Sequence, residues 1–190
     1  MGITLSQPAA NSSSEDSPLA LRALQATWKH DDEPDASGSL TSREPDLFCD
    51  EFEEALDSAQ FAASDRAIFD RLFTLLDRTG DDRILAREFL VAASLLLRGP
   101  LHVKLQAALD FASGSDDQLS PKTLTFTLTT LAATAGFFGD PAVDSVDVSR
   151  VVSDVTADSS LTREDLVTRI ATHPLVTQYV NQTPDLETNP

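Results

Sequence analysis

Basic residues are scarce in this chain: 14 Lys and Arg stand against 31 Asp and Glu, a formal charge of −17. Nucleic-acid phosphates demand clustered lysine and arginine, so that class of partner is excluded, and metal cations or basic protein segments are favoured. There is a single cysteine, Cys49, so no intramolecular disulfide can form. The three histidines, His30, His102 and His173, are scattered without zinc spacing, and nothing around Cys49 reads as a nucleophile motif. No enzyme activity is expected. A secretory leader and an apolar run of about 20 residues are both missing, which points to the cytoplasm. What is present is 41% hydrophobic residues in a chain of 190, enough to fill the core of one or two small domains.

Among these residues one stretch carries chemistry: Asp77-Arg-Thr-Gly-Asp-Asp-Arg-Ile-Leu-Ala-Arg-Glu88. Oxygen-bearing side chains fall at positions 1, 3, 5 and 12, with an isoleucine at 8. That is the ligand spacing of an EF-hand calcium loop. Calcium is a hard cation needing six to eight oxygens, which alternate residues on a tight turn supply when a bidentate glutamate closes the loop. Asp77, Thr79, Asp81 and Glu88 are the side-chain ligands on this reading, with the carbonyl of Arg83. Asp82 stands at the turn position, where glycine is usual; aspartate tolerates a positive φ better than most residues, at some strain.

Weaker versions of the pattern recur about 35 to 45 residues apart, centred on Leu40, Ile84, Leu119 and Leu161, a period typical of repeated supersecondary units. Each apolar residue would be the eighth of its loop, where two loops pair through a short antiparallel strand. The spacing predicts an all-α fold of four helix-loop-helix units in two paired lobes. Leu21, Leu24 and Trp28 share a face after a Ser17-Pro18 start; Ile68, Phe69, Leu72, Phe73 and Leu76 form a stripe before the second loop, and Phe89, Leu90, Ala93, Leu96 and Leu97 another after it. Thr41 and Glu44 suggest a capping box for an exit helix carrying Leu47, Phe48, Phe52 and Leu56. Arg98-Gly-Pro100 breaks the chain between lobes. The fourth unit's incoming helix is rich in valine, so propensity alone would allow a strand; the repeat register assigns a helix. The expected divisions are a flexible 1–17, lobes at 18–98 and 101–180, and a flexible 181–190.

The first loop, Glu33-Pro-Asp-Ala-Ser-Gly-Ser-Leu-Thr-Ser-Arg-Glu44, the run Arg98-Gly-Pro-Leu-His-Val-Lys-Leu105 and the opening Met1-Gly-Ile-Thr-Leu-Ser6 resemble the calcineurin B and neuronal calcium sensor group over nearly the whole chain. The resemblance implies a regulator with four EF-hands whose groove holds an amphipathic helix of a phosphatase, kinase, channel or exchanger. It also implies ligands Glu33, Asp35, Ser37, Ser39 and Glu44 in the first loop, and Asp154, Thr156, Asp158, Ser160 and Asp165 in the fourth. The fourth loop closes on Asp165, one methylene short of glutamate, which favours Mg2+ or weak Ca2+ binding. The third segment, Ala112–Thr123, lacks the carboxylates and is a dead site. The opening also fits N-myristoylation at Gly2; one acyl chain without following basic residues gives only reversible, peripheral membrane contact. The alternative reading is a constitutive structural light chain or adaptor whose EF-hands no longer sense calcium. A soluble calcium buffer fits less well, because buffering rewards intact sites.

Overall fold

The computed structural model describes residues 16–28, 46–58, 61, 63–113, 119–157 and 162–182. Among them the chain runs α1 (Asp16–Trp28), β1 (Asp46–Phe48), α2 (Cys49–Ser58), α3 (Ala63–Leu76), β2 (Arg83–Leu85), α4 (Ala86–Ser94), α5 (Leu101–Ser113), α6 (Pro121–Phe137), α7 (Ser145–Thr156), α8 (Arg163–Thr172) and α9 (Pro174–Gln182). The described residues are mainly helical, with one two-stranded antiparallel sheet among them.

The helices form where apolar residues recur at helical spacing. In α3, Phe69, Leu72, Phe73 and Leu76 are buried along one stripe. The fourth helix is buried almost all round, at Ala86 and from Phe89 through Ser94, so it must lie at the centre, and it packs against α1, α3, α5 and α6. Ser94, the one hydroxyl on its buried run, donates to the Leu90 carbonyl at 2.8 Å, which removes the cost of burying it. The same device serves α6, where the buried Thr127 and Thr134 hydroxyls donate to the carbonyls of Thr123 and Thr130 at 2.8 Å. The valine-rich α7 is a helix, with Val148, Val151, Val152 and Val155 on its buried face and Asp144 as N-cap.

Three aromatic rings of the core meet at Phe89. Its ring meets Trp28 edge-on at 5.7 Å, Phe52 at 5.0 Å and Phe69 at 5.5 Å, joining α1, α2, α3 and α4. A single cluster of buried side chains continues from Leu21 to Ile170, so the expected lobes 18–98 and 101–180 share one core. Arg71 of α3 lies over Phe137 and Phe138 at the end of α6, and Asp110 of α5 accepts from Arg22 of α1 and Arg163 of α8. Gly99, at φ +110°, supplies the left-handed residue that turns the chain from α4 into α5, and Pro100 follows it, as the breaker reading requires.

Two expectations about the first unit need correction. Ile84 pairs with Leu47, not Leu40: the register is Asp46↔Leu85, Leu47↔Ile84, Phe48↔Arg83. The exit helix starts at Cys49, so Leu47 and Phe48 belong to the strand and only Phe52 and Leu56 to the helix. The physical reason is in the side chains around the bridge. With Leu47 opposite Ile84 both are buried, and Phe52 comes to sit against Phe89. The second unit differs too: Leu96 and Leu97 are buried, but in the turn after α4, which ends at Ser94.

Candidate cation site and apolar cavity

The loop from Asp77 to Glu88 begins where α3 stops at Leu76. Freed from the helix, the Asp77 carboxylate folds back over its own loop. Its Oδ1 accepts from the amides of Gly80 at 2.8 Å and Asp81 at 3.2 Å, and its Oδ2 from Asp82 at 3.1 Å. The Thr79 hydroxyl lies 3.4 Å from Asp77 Oδ1 and donates to Asp81 Oδ1 at 2.5 Å, so the side-chain oxygens of positions 1, 3 and 5 converge. Two left-handed residues make the turn, Gly80 at φ +69° and Asp82 at φ +57°. The second is where the missing turn glycine predicted a positive φ. The loop then enters β2, and Ile84 is buried against Leu47.

Glu88, the twelfth residue, is 12% exposed and bonds the Arg78 guanidinium at 2.5 Å. The chemistry of the donor set, two carboxylates and a hydroxyl with a third carboxylate and the Arg83 carbonyl to follow, suits a hard divalent cation. Among the described residues, however, no three His, Cys, Asp or Glu side chains are gathered as a metal group, and Glu88 is bonded to Arg78.

The fourth loop places its acids differently. Asp154 and Thr156 lie on α7, which runs to Thr156, and the Thr156 hydroxyl donates to the Val152 carbonyl at 2.7 Å. His173 takes Asp154: its Nδ1 accepts from the Leu175 amide at 3.3 Å, which leaves Nε2 to donate to Asp154 Oδ2 at 3.2 Å. Asp165 closes a capping box on Thr162, accepting from its amide at 3.1 Å and its hydroxyl at 2.6 Å. Asp158 and Ser160 lie outside the described residues, as do Gly2 and all five first-loop residues, Glu33, Asp35, Ser37, Ser39 and Glu44.

One acid was missed by the sequence reading. Glu51 follows Leu47 by four residues, as Glu88 follows Ile84, and its Oε2 accepts from the Phe48 amide at 3.1 Å. The signal was there: Leu47, Glu51 and Phe52 repeat the spacing of Ile84, Glu88 and Phe89. Cys49 sits beside this bridge, its amide donating to the Asp82 carbonyl at 3.2 Å. Burial, then Glu53, Asp82, Asp50 and Asp70, push its thiol above the ordinary value, which lowers its thiolate fraction.

Residues from α5 to α9 line an open cavity of about 420 Å³, walled by Leu105, Leu131, Val148, Val151 and Ile170. Its polar lining includes Lys104, whose ammonium is disfavoured by burial and partly restored by Asp140. Tyr179 of α9 also faces it. The hydroxyl is buried without a hydrogen-bond partner among the described residues, and burial and Asp140 push its pKa up to about 12.

Comparison with known proteins finds no matching family model, no matching curated protein and no matching solved structure. The likeness to the calcineurin B and neuronal calcium sensor group rests on the residues quoted for it. Among the described residues no helix is long and apolar enough to cross a membrane.

Proposed function

We propose that the chain is a calcium-binding regulatory protein of EF-hand type that clasps an amphipathic helix of a target such as a phosphatase, kinase or channel. The observation that carries this reading is the 77–88 loop. There the Asp77 carboxylate, the Thr79 hydroxyl and the Asp81 carboxylate converge at a turn made by Asp82 in the left-handed region, one strand away from the bridge at Ile84. Asp77, Thr79, Asp81, the Arg83 carbonyl and Glu88 would hold the ion, and a bound divalent cation would supply the charge that draws Glu88 onto the loop. The cavity supports the second half of the reading. Its walls are apolar and its lining carries Asp140 and Asp147, a complement to a helix with apolar anchors at i, i+3, i+4 and i+7 and basic residues beside them. A myristoyl group at Gly2 would add reversible membrane contact to this role.

A constitutive light chain is the second reading, and specific contacts favour it: Glu88 is ion-paired with Arg78, and Asp154 is hydrogen-bonded to His173. A calorimetric calcium titration of the full chain in about 1 mM magnesium separates the two, since magnesium competes best where no bidentate ligand closes the loop. Binding that disappears in Glu88→Gln and survives in Asp165→Asn supports the calcium-binding regulator. Absence of saturable binding in the wild type leaves the light chain.

A further inference from the structure

Three arginines flank the acids of the 77–88 loop, and they do different things. Arg83 lies over the Phe48 ring at 4.6 Å, and Arg87 over the Phe126 ring at 5.2 Å with a hydrogen bond to the Ala112 carbonyl at 3.4 Å, so both tie the loop to its surroundings. Arg78, the second residue of the loop, bonds the loop's last acid. Its guanidinium reaches Glu88 Oε1 at 2.5 Å, from a side chain 68% exposed to one 12% exposed.

A mostly buried carboxylate without a positive partner would carry a desolvation cost, and the ion pair offsets it. We infer that Arg78 is the resident counter-cation of this loop: it neutralises Glu88 when no divalent ion is bound, and calcium enters only by competing with it for that carboxylate. The inference rests on the proposed cation-binding role of the loop and adds what sets its threshold. One guanidinium matches one carboxylate, whereas calcium also gathers Asp77, Thr79 and Asp81, so the exchange favours the ion as its concentration rises. The pair thus lets the loop stay folded without metal while holding its affinity down. Because Arg78 is mostly in solvent, the competition is screened by salt.

The test is calcium titration by calorimetry on the full chain, comparing wild type, Arg78→Gln and Arg78→Lys at low and high ionic strength, with thermal unfolding of the chelator-treated proteins alongside. Arg78→Gln is expected to tighten calcium binding about fivefold, the scale of one exposed ion pair, with the gain shrinking at high salt. The same variant should unfold at a lower temperature without calcium and recover when calcium is added, and Arg78→Lys should stay close to wild type on both. Equal dissociation constants for wild type and Arg78→Gln overturn the inference while leaving the loop a calcium site. Weaker binding in Arg78→Gln also overturns it, since the guanidinium would then be positioning Glu88 for the ion. Absence of binding in all three overturns the cation reading of the loop, and this inference with it. Should Arg78→Gln fail to fold, unchanged calcium affinity of wild type and Arg78→Lys across the salt range overturns it as well.

Discussion

The 77–88 and 154–165 loops begin with the same aspartate and close with an acid, yet the two first aspartates end in different places. Asp77 receives three amides of its own loop, while Asp154 stays on the surface of α7 and meets His173 from the far end of α8. The difference arises one residue earlier. α3 stops at Leu76, so the chain after Asp77 is free to curl, whereas α7 continues to Thr156, whose hydroxyl and backbone belong to the helix. Gly80 and Asp82 supply the left-handed residues of the curl; the fourth loop has no glycine. An acid at the same spacing turns its carboxylate inward only where the backbone has left the helix.

The largest way to break this contrast is to remove the ring behind the well-formed loop. Phe89→Ala, in a fully buried site bounded by Trp28, Phe52 and Phe69, is expected to cost about 4 kcal/mol in urea unfolding. The single tryptophan of the chain, Trp28, reports it by fluorescence. Leu166→Ala behind the fourth loop should cost less, about 2–3 kcal/mol. A loss as large for Leu166→Ala as for Phe89→Ala would mean that the two halves are held equally.

The two first aspartates sharpen the comparison directly. Asp77→Ala should destabilise by about 2 kcal/mol because three amides lose a charged acceptor. Asp154→Ala should stay within about 0.5 kcal/mol, its partner pair being a surface one. Equal effects in chemical denaturation would contradict the account of the curl. Next in size, Asp82→Gly should stabilise by roughly 0.5–1 kcal/mol by relieving a left-handed φ, and Gly80→Ala should lose about as much, from backbone strain alone, since no atom lies within 4 Å of the added Cβ. Thermal unfolding of both variants checks the pair.

The smallest effect at neutral pH is expected at the sole tyrosine, which acts only in alkali. Ultraviolet titration should place Tyr179 at about 12 in the folded protein and near 10.0 in denaturant. Its folded pKa is the raised one, so its contribution to stability is complete below pH 10 and is lost as pH rises through 12. Tyr179→Phe should remove that alkaline component. A normal tyrosine titration in the native state would show that α9 leaves the hydroxyl in water.

Much of the architecture was legible in the sequence because helices are local objects. The stripes of α3 and α4, the valine face of α7, the Gly99-Pro100 break and the positive φ at Asp82 all follow from residues within a turn or two of each other. The first unit was misread for an equally physical reason. Repeat counting from Glu33 aligned acids and put Leu40 opposite Ile84, but strand register is set by which apolar side chains bury opposite each other, and that selected Leu47.

The sequence by itself therefore determined the helices, the breakers between them and the loop able to turn a carboxylate inward, since those depend on backbone preferences and neighbouring residues. Only the tertiary structure decided the partners: Leu47 for Ile84, Arg78 for Glu88, His173 for Asp154, and Asp110 between Arg22 and Arg163. Such pairings depend on how the helices pack and on what each charged group meets when water is removed, and spacing along the chain carries neither.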